Sequence, residues 1–209
     1  MNAYNQEFQE KISPSEALAI LIDGNKRFVE NKSLERDLLA QAHSTANDGQ
    51  FPIAAFLSCI DARTPIEHIF DLGIGDAFNI KVAGNIINND ILGSLEYACK
   101  VAGSKIIVVK GHTKCGAVSS ACKNVELGNI TGLLQKINSP IETTENKGFS
   151  YKNDGKKFVD MVSKENVIKS VKEIRKGSSI LQKMENDKEI KIIAAFHCLE
   201  TGIVEFFEV

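Results

Sequence analysis

The sequence lacks a surplus of charge of either sign: its formal net charge is -2. That removes the basic footprint that nucleic acid would require and the polybasic patch that an anionic membrane surface would attract. No apolar stretch reaches the roughly 18 residues that would cross a bilayer. The opening residues, "MNAYNQEFQEKISPSEA", lack a charged segment followed by an apolar one, so no signal peptide is expected. There is no tryptophan, no internal repeat and no low-complexity tract. The cysteines, at 59, 99, 115, 122 and 198, are odd in number and scattered, which argues against a disulfide framework. A reducing cytoplasm is the expected setting, with cysteines that are buried, reactive or metal-bound.

What remains is a soluble globular composition, 43% hydrophobic and 25% charged over 209 residues, enough for one domain with a substantial core. Ser13, Pro14 and Glu16 form a capping box with proline at the first helical position, and Leu18, Leu21, Ile22, Phe28 and Val29 follow at helical spacing. Residues 32–49 read as a polar arm, helical or irregular. From Phe51 onward, short apolar runs alternate with helices. "FPIAAFLSC" (51–59), "AFNIKVA" (77–83), "SKIIVVKG" (104–111) and "IKIIAAFHC" (190–198) read as buried strands. Helices are expected over 88–103, 115–123, 125–138 and 156–176, and residues 139–157 as a polar surface loop or insertion. The chain ends in two strands joined by a turn at Thr201-Gly202. The expected fold is α/β: a mainly parallel central sheet of about four parallel strands plus an antiparallel C-terminal edge strand, flanked by helices. Residues 1–49 are expected as a helical arm and 50–209 as the α/β core of a single domain.

Two segments carry the chemistry, each ending an apolar strand where an open α/β sheet binds its ligands. "SCIDAR" (58–63) places Cys59, Asp61 and Arg63 on alternate positions, a shared face if the segment stays extended. "GHTKCGA" (111–117) places His112 and Cys115 three residues apart, so that they face one point on a turn opening a helix. Either half alone would read as packing or as an incidental pair. Together, two cysteines and a histidine are three zinc ligands with a fourth position open, the arrangement of a catalytic rather than a structural zinc. The halves lie over fifty residues apart, so the fold must form before the metal is held.

"CIDAR" followed by "GHTKCG" resembles the β-class carbonic anhydrases. "LIDGNKRF" (21–28), "IFDLGIGDAFNIKVAGN" (69–85), "LGSLEYA" (92–98) and "LETGIVEF" (199–206) resemble stretches of that family in the same order. The resemblance implies one Zn2+ per subunit on Cys59, His112 and Cys115, and reversible hydration of carbon dioxide to bicarbonate by attack of zinc hydroxide. It implies an Asp61–Arg63 pair that keeps the Asp61 carboxylate off the metal, with Asp61 as the fourth ligand of a closed state. Gln50 matches a substrate-contacting glutamine, Phe78 and Ala83 match apolar pocket lining, Tyr97 matches a tyrosine contributed across a dimer interface, and the Gly116 N–H faces the pocket. A homodimer or dimer of dimers follows from the family alone.

Other readings stay open: Gln50 as a loop residue, and Phe78, Ala83 and Tyr97 as plain core. The inhibitory bicarbonate site of some members, built from tryptophan, arginine and tyrosine, has Phe56, Lys81 and His197 at the matching positions here, so that switch is not expected in the same form. His43 and His68 read as surface or core histidines. Alternatives for the whole are a relative acting on carbon disulfide and a zinc-binding protein without turnover.

Overall fold

The computed structural model describes residues 2–209. Its elements run α1 (Gln6–Lys11), α2 (Pro14–Val29), α3 (Leu38–Asp48), β1 (Ala54–Ser58), α4 (Ile66–Ile69), β2 (Ala77–Lys81), α5 (Asn89–Glu96), β3 (Ile106–His112), α6 (Gly116–Cys122), α7 (Gly128–Gln135), α8 (Asn138–Glu145), α9 (Tyr151–Gly177), α10 (Ser179–Asn186), β4 (Lys191–His197) and β5 (Val204–Phe207). The strands form one sheet in the order β2-β1-β3-β4-β5. The first four are parallel and β5 is antiparallel to β4. β1 and β3 are neighbours whose outgoing connections run to opposite sides, which opens a crevice beyond their carboxyl ends. Cys59 follows β1 directly and His112 ends β3.

The helix starts follow from local chemistry. The Ser13 side chain accepts the Glu16 N–H while Glu16 reaches back to the Ser13 N–H, and Pro14 occupies the first turn. Asp37 caps α3 by accepting the Ala40 N–H and Asn88 caps α5 by accepting the Ile91 N–H. The sheet is covered on both faces. One layer joins Leu21, Phe56, Ile66, Phe70 and Val108 under α2 and α4. The other joins Leu57, Leu95, Val109, Val171 and Leu181 under α5, α9 and α10. A third cluster, Cys59, Cys115, Val118, Phe158 and Val162, closes the carboxyl end. β1 and β3 are buried throughout, whereas β2, at the edge, is half-buried along its length.

Several expectations change. Residues 139–157 are not a loop: α8 and the start of α9 occupy most of them. Pro140 and Thr144 face inward, and the Thr144 hydroxyl donates to the Pro140 carbonyl, so the polar residues satisfy their own helix. α7 is shorter than 125–138, and Leu127 and Ile130 are exposed while Leu134 and Ile137 are buried. The helix expected over 88–103 ends as a π turn, Tyr97–Val101. α1, α4 and α10 add helices that the apolar spacing does not announce. The arm at 32–49 is helical from Leu38, and the final two strands turn at Gly202, whose φ is 75°.

Candidate metal centre

Cys59, His112 and Cys115 come together from three directions. Cys59 leaves the end of β1, His112 ends β3, and Cys115 is the N-cap of α6. All three are buried, and their ligand atoms lie within 4.8 Å of one another. The two sulfurs are 3.8 Å apart. Two thiolates on one tetrahedral zinc, each at about 2.3 Å, stand about 3.8 Å apart, so the pair fits the ion. His112 Nδ1 lies 2.9 Å from the Thr113 carbonyl. The Nδ1–H tautomer donates there, which fixes the ring and turns Nε2 to the cysteines. Nε2 is buried and has no hydrogen-bond partner among the described residues, as a metal-facing nitrogen requires. The donor set therefore suits zinc.

Electrostatics favour a thiolate at Cys59. A hydrogen bond from the Cys115 thiol lowers the Cys59 pKa most, followed by His112 and the Gly84 N–H, against the cost of burial. Sharing that proton, with burial, raises Cys115. The Gly84 N–H reaches Cys59 Sγ at 3.4 Å because Gly84 turns at φ 67°. That turn is held by α9: Asn166 Nδ2 donates to the Gly84 carbonyl at 2.7 Å, and Ser170 Oγ to the Asn85 carbonyl at 3.0 Å.

Asp61 and Arg63 form a two-point pair. Arg63 Nε donates to Oδ1 at 2.9 Å and Nη2 to Oδ2 at 2.7 Å, while the Arg63 backbone N–H also donates to Oδ1 at 2.9 Å. These bonds hold the Asp61 carboxyl well below the usual carboxylate range. Asp61 Oδ2 lies 3.8 Å from His112 Nε2, next to the ligand cluster but turned toward Arg63. The segment does not stay extended, contrary to the alternation expected for it. β1 stops at Ser58, and the Thr64 N–H donates to the Asp61 carbonyl at 3.3 Å, closing a turn over 61–64. Arg63 therefore folds back onto Asp61 by a turn, and Ile60, between Cys59 and Asp61, points into solvent.

The remaining candidates divide into two groups. Ala83 opens the short 3-10 turn that carries Gly84, and Gly116 is the first residue of α6 after Cys115, so both stand beside the cluster. Gln50, Phe78 and Tyr97 do not join it within one chain. Gln50 is exposed before the amino end of β1, opposite the end that delivers Cys59. Phe78 pairs in register with Ala55 near that same amino end. Its ring meets Tyr97 edge-on, with centroids 6.1 Å apart, and both line an open cavity of about 530 Å³ along the β2 edge. Tyr97 is 55% exposed. His43 and His68 lie on the surface.

The ligand motifs alone do not point to Lys110, while Lys81 and His197 enter the sequence reading only at the positions of an inhibitory site that is not expected here. Lys81 Nζ donates to the Asp61 carbonyl at 3.1 Å. Lys110, two residues before His112, is fully buried with its Nζ unpartnered, and burial pushes it down to about 8. His197 pairs with His112 in register; both its ring nitrogens lack partners, and burial lowers it to about 4. A basic residue inside the apolar run "IIVVKG" is the sequence signal that marks Lys110.

A sequence model described as "Carbonic anhydrase" matches residues 54–204. "Carbonic anhydrase 2" of Mycobacterium tuberculosis is 30% identical over 190 residues, covering 91% of each protein. A carbonic anhydrase of Mycolicibacterium smegmatis is 36% identical over 126 residues, 60% of this chain and 61% of that protein. Among solved structures, a β-carbonic anhydrase of the fungal pathogen Aspergillus fumigatus superposes with a TM-score of 0.72 at 23% identity, covering 93% of this chain and 90% of that one. Tetrameric β-carbonic anhydrases from Sordaria macrospora give a TM-score of 0.73 at 18% identity, covering 93% and 98%; at such identities the likeness concerns the fold. With the family match spanning most of the sequence and a relative aligned along nearly its whole length, the chain belongs to the β-class carbonic anhydrase family of lyases.

Proposed function

We propose that the protein hydrates carbon dioxide reversibly to bicarbonate and a proton, using one zinc ion per subunit held by Cys59, His112 and Cys115. The observation that carries this reading is the buried Cys-His-Cys group, with its sulfurs at the spacing of one tetrahedral ion and His112 Nε2 otherwise unpartnered. When bound, zinc supplies Lewis acidity that activates a water for attack on carbon dioxide. The thiolates also cancel the ion's charge, so the surrounding residues must not add another anionic ligand. Asp61 is the nearest candidate for that, and Arg63 holds both of its oxygens aside. Ala83 and the Gly116 N–H border the space in which substrate would lie.

Gln50, Phe78 and Tyr97 serve the pocket of a second copy in this reading. Their distance from their own cluster, the exposure of Tyr97 and the unpaired β2 edge support a homodimer or a dimer of dimers. The free thiols suit a cytoplasmic location, and among the described residues no helix is long and apolar enough to cross a membrane. Stopped-flow hydration of carbon dioxide by zinc-loaded protein tests the proposal. Turnover is expected, and His112→Ala is expected to lose zinc and turnover together. A fully zinc-loaded sample that hydrates carbon dioxide no faster than buffer would overturn it.

A further inference from the structure

We propose that Asp160, on α9, is a positioning residue for the Asp61–Arg63 pair and acts through the backbone of Lys114; the proposal rests on the function given above. Lys114 lies between the two ligands of the "HTKC" turn and has a φ of 55°. That left-handed conformation is unfavourable for a residue with a Cβ, so something must hold it. The Lys114 side chain does not: its ammonium reaches outward to Glu200 at 2.5 Å. The Lys114 backbone N–H, by contrast, donates to Asp160 Oδ1 at 2.7 Å, a charge-assisted bond from a peptide to a carboxylate on a different element.

The other side of that residue faces the pair. The Lys114 carbonyl accepts a hydrogen bond from Arg63 Nη2 at 3.4 Å, and the same nitrogen donates to Asp61 Oδ2 at 2.7 Å. Arg63 is otherwise largely in solvent, with its side chain 56% exposed. A long exposed side chain keeps one geometry only when several acceptors agree on it, because ordering it costs rotamer entropy. Asp61 supplies two of those acceptors and the Lys114 carbonyl the third. Asp160 fixes the turn that aims this carbonyl, and so the chain of contact runs from α9 through one peptide to Arg63, and from Arg63 to Asp61. The Thr113 N–H donates to the His197 carbonyl at 3.0 Å, and Thr113 Oγ1 accepts the Leu199 N–H at 3.0 Å. Those bonds hold the front of the turn to β4 and the segment after it, and leave its back to Asp160.

Asp160→Ala removes the anchor, and Asp160→Asn keeps an acceptor oxygen for the same N–H. Both variants are expected to bind one zinc per chain and to melt close to the wild type. In Asp160→Ala, kcat/KM for carbon dioxide hydration at pH 7 is expected to fall about tenfold, a little over 1 kcal/mol of lost alignment. Its pH profile should move upward, because a freed Asp61 carboxylate competes with solvent for the open ligand position and yields only as the pH rises. The visible spectrum of the cobalt(II)-substituted protein should change in Asp160→Ala at pH 7 and return to the wild-type form in Asp160→Asn. An unchanged pH profile and cobalt spectrum in Asp160→Ala would overturn the proposal. So would an Asp160→Asn variant as impaired as Asp160→Ala, since the hydrogen bond would then not be what matters. If the wild type fails to hydrate carbon dioxide, the functional reading fails, while the cobalt spectra still decide the role of Asp160.

Discussion

Lys110 is the residue whose presence costs the fold most visibly. It is fully buried on β3, in register with Ser58 on β1 and Ala195 on β4, and its ammonium has no hydrogen-bond partner among the described residues. Burial first, and then the charge of Lys81, lowers its pKa from 10.5 to about 8. A lysine with a depressed pKa destabilises the fold wherever the native state still carries the proton, because the buried ammonium bears a cost that the unfolded chain does not. The penalty is therefore complete below pH 8 and fades as the pH rises from 8 to 10.5. Two and a half units correspond to about 3 kcal/mol as an upper figure. Lys110→Met, apolar and of similar length, is expected to be more stable than the wild type by up to about 3 kcal/mol at pH 7, with the gap closing near pH 10. Urea unfolding of the zinc-loaded proteins at the two pH values measures it. A wild type that is the more stable at pH 7 would show that the ammonium is compensated inside the fold.

At the scale of elements, α9 organises the centre without contributing a ligand. Along one helix, Asp160 meets the Lys114 turn, Val162 packs in the cluster that holds Cys59 and Cys115, Asn166 holds the Gly84 carbonyl and Ser170 the Asn85 carbonyl. Its buried polar residues are not equivalent. Ser163 Oγ donates to the Val159 carbonyl of its own helix, whereas Asn166 crosses to another segment. Ser163→Ala is thus expected to change stability by less than about 0.5 kcal/mol, and Asn166→Ala to cost about 1–3 kcal/mol by leaving a buried carbonyl unsatisfied. Zinc affinity should fall only in Asn166→Ala, because the Gly84 N–H then drifts from Cys59. Thermal melting with a competitive zinc chelator reads both effects, and equal losses in the two variants would contradict the distinction.

The same helix shows what the sequence disclosed and what it hid. The Cys59–His112–Cys115 group, the strands that carry it and the antiparallel C-terminal strand were legible because apolar runs and short cysteine–histidine spacings are local patterns. The role of α9 was not, because Asn166 and Ser170 lie over eighty residues from the carbonyls they satisfy. α8 was hidden for a different reason. Its threonines bond back to their own helix, so the segment reads as a polar loop. The alternation in "CIDAR" offered only a shared face on an extended segment; the Asp61–Arg63 pair was expected from the family resemblance, and the chain forms it through a turn over 61–64.

For the molecule as a whole, the decisive feature is the split of the expected pocket between the two ends of β1. Cys59 stands beyond its carboxyl end, Gln50 before its amino end, and Phe78 with Tyr97 on the β2 edge faces outward. No rearrangement of side chains alone brings Tyr97 to its own cluster while β1, β2 and β3 keep their register. If the pocket is completed by a second copy, complementation between damaged chains follows. A Cys59→Ser chain lacks the metal but keeps Tyr97, and a Tyr97→Ala chain keeps the metal but lacks the tyrosine. In a mixed dimer, the zinc of the second chain faces the intact Tyr97 of the first. Mixing the two variants under conditions of subunit exchange is therefore expected to raise kcat/KM for carbon dioxide hydration per zinc above that of Tyr97→Ala alone, toward the wild-type value. A pocket built within one chain gives no such recovery, because every zinc-bearing chain in the mixture would still lack its own tyrosine. Activity per zinc that stays at the Tyr97→Ala level, with mixed dimers verified by mass spectrometry, would assign Tyr97 a role in packing instead.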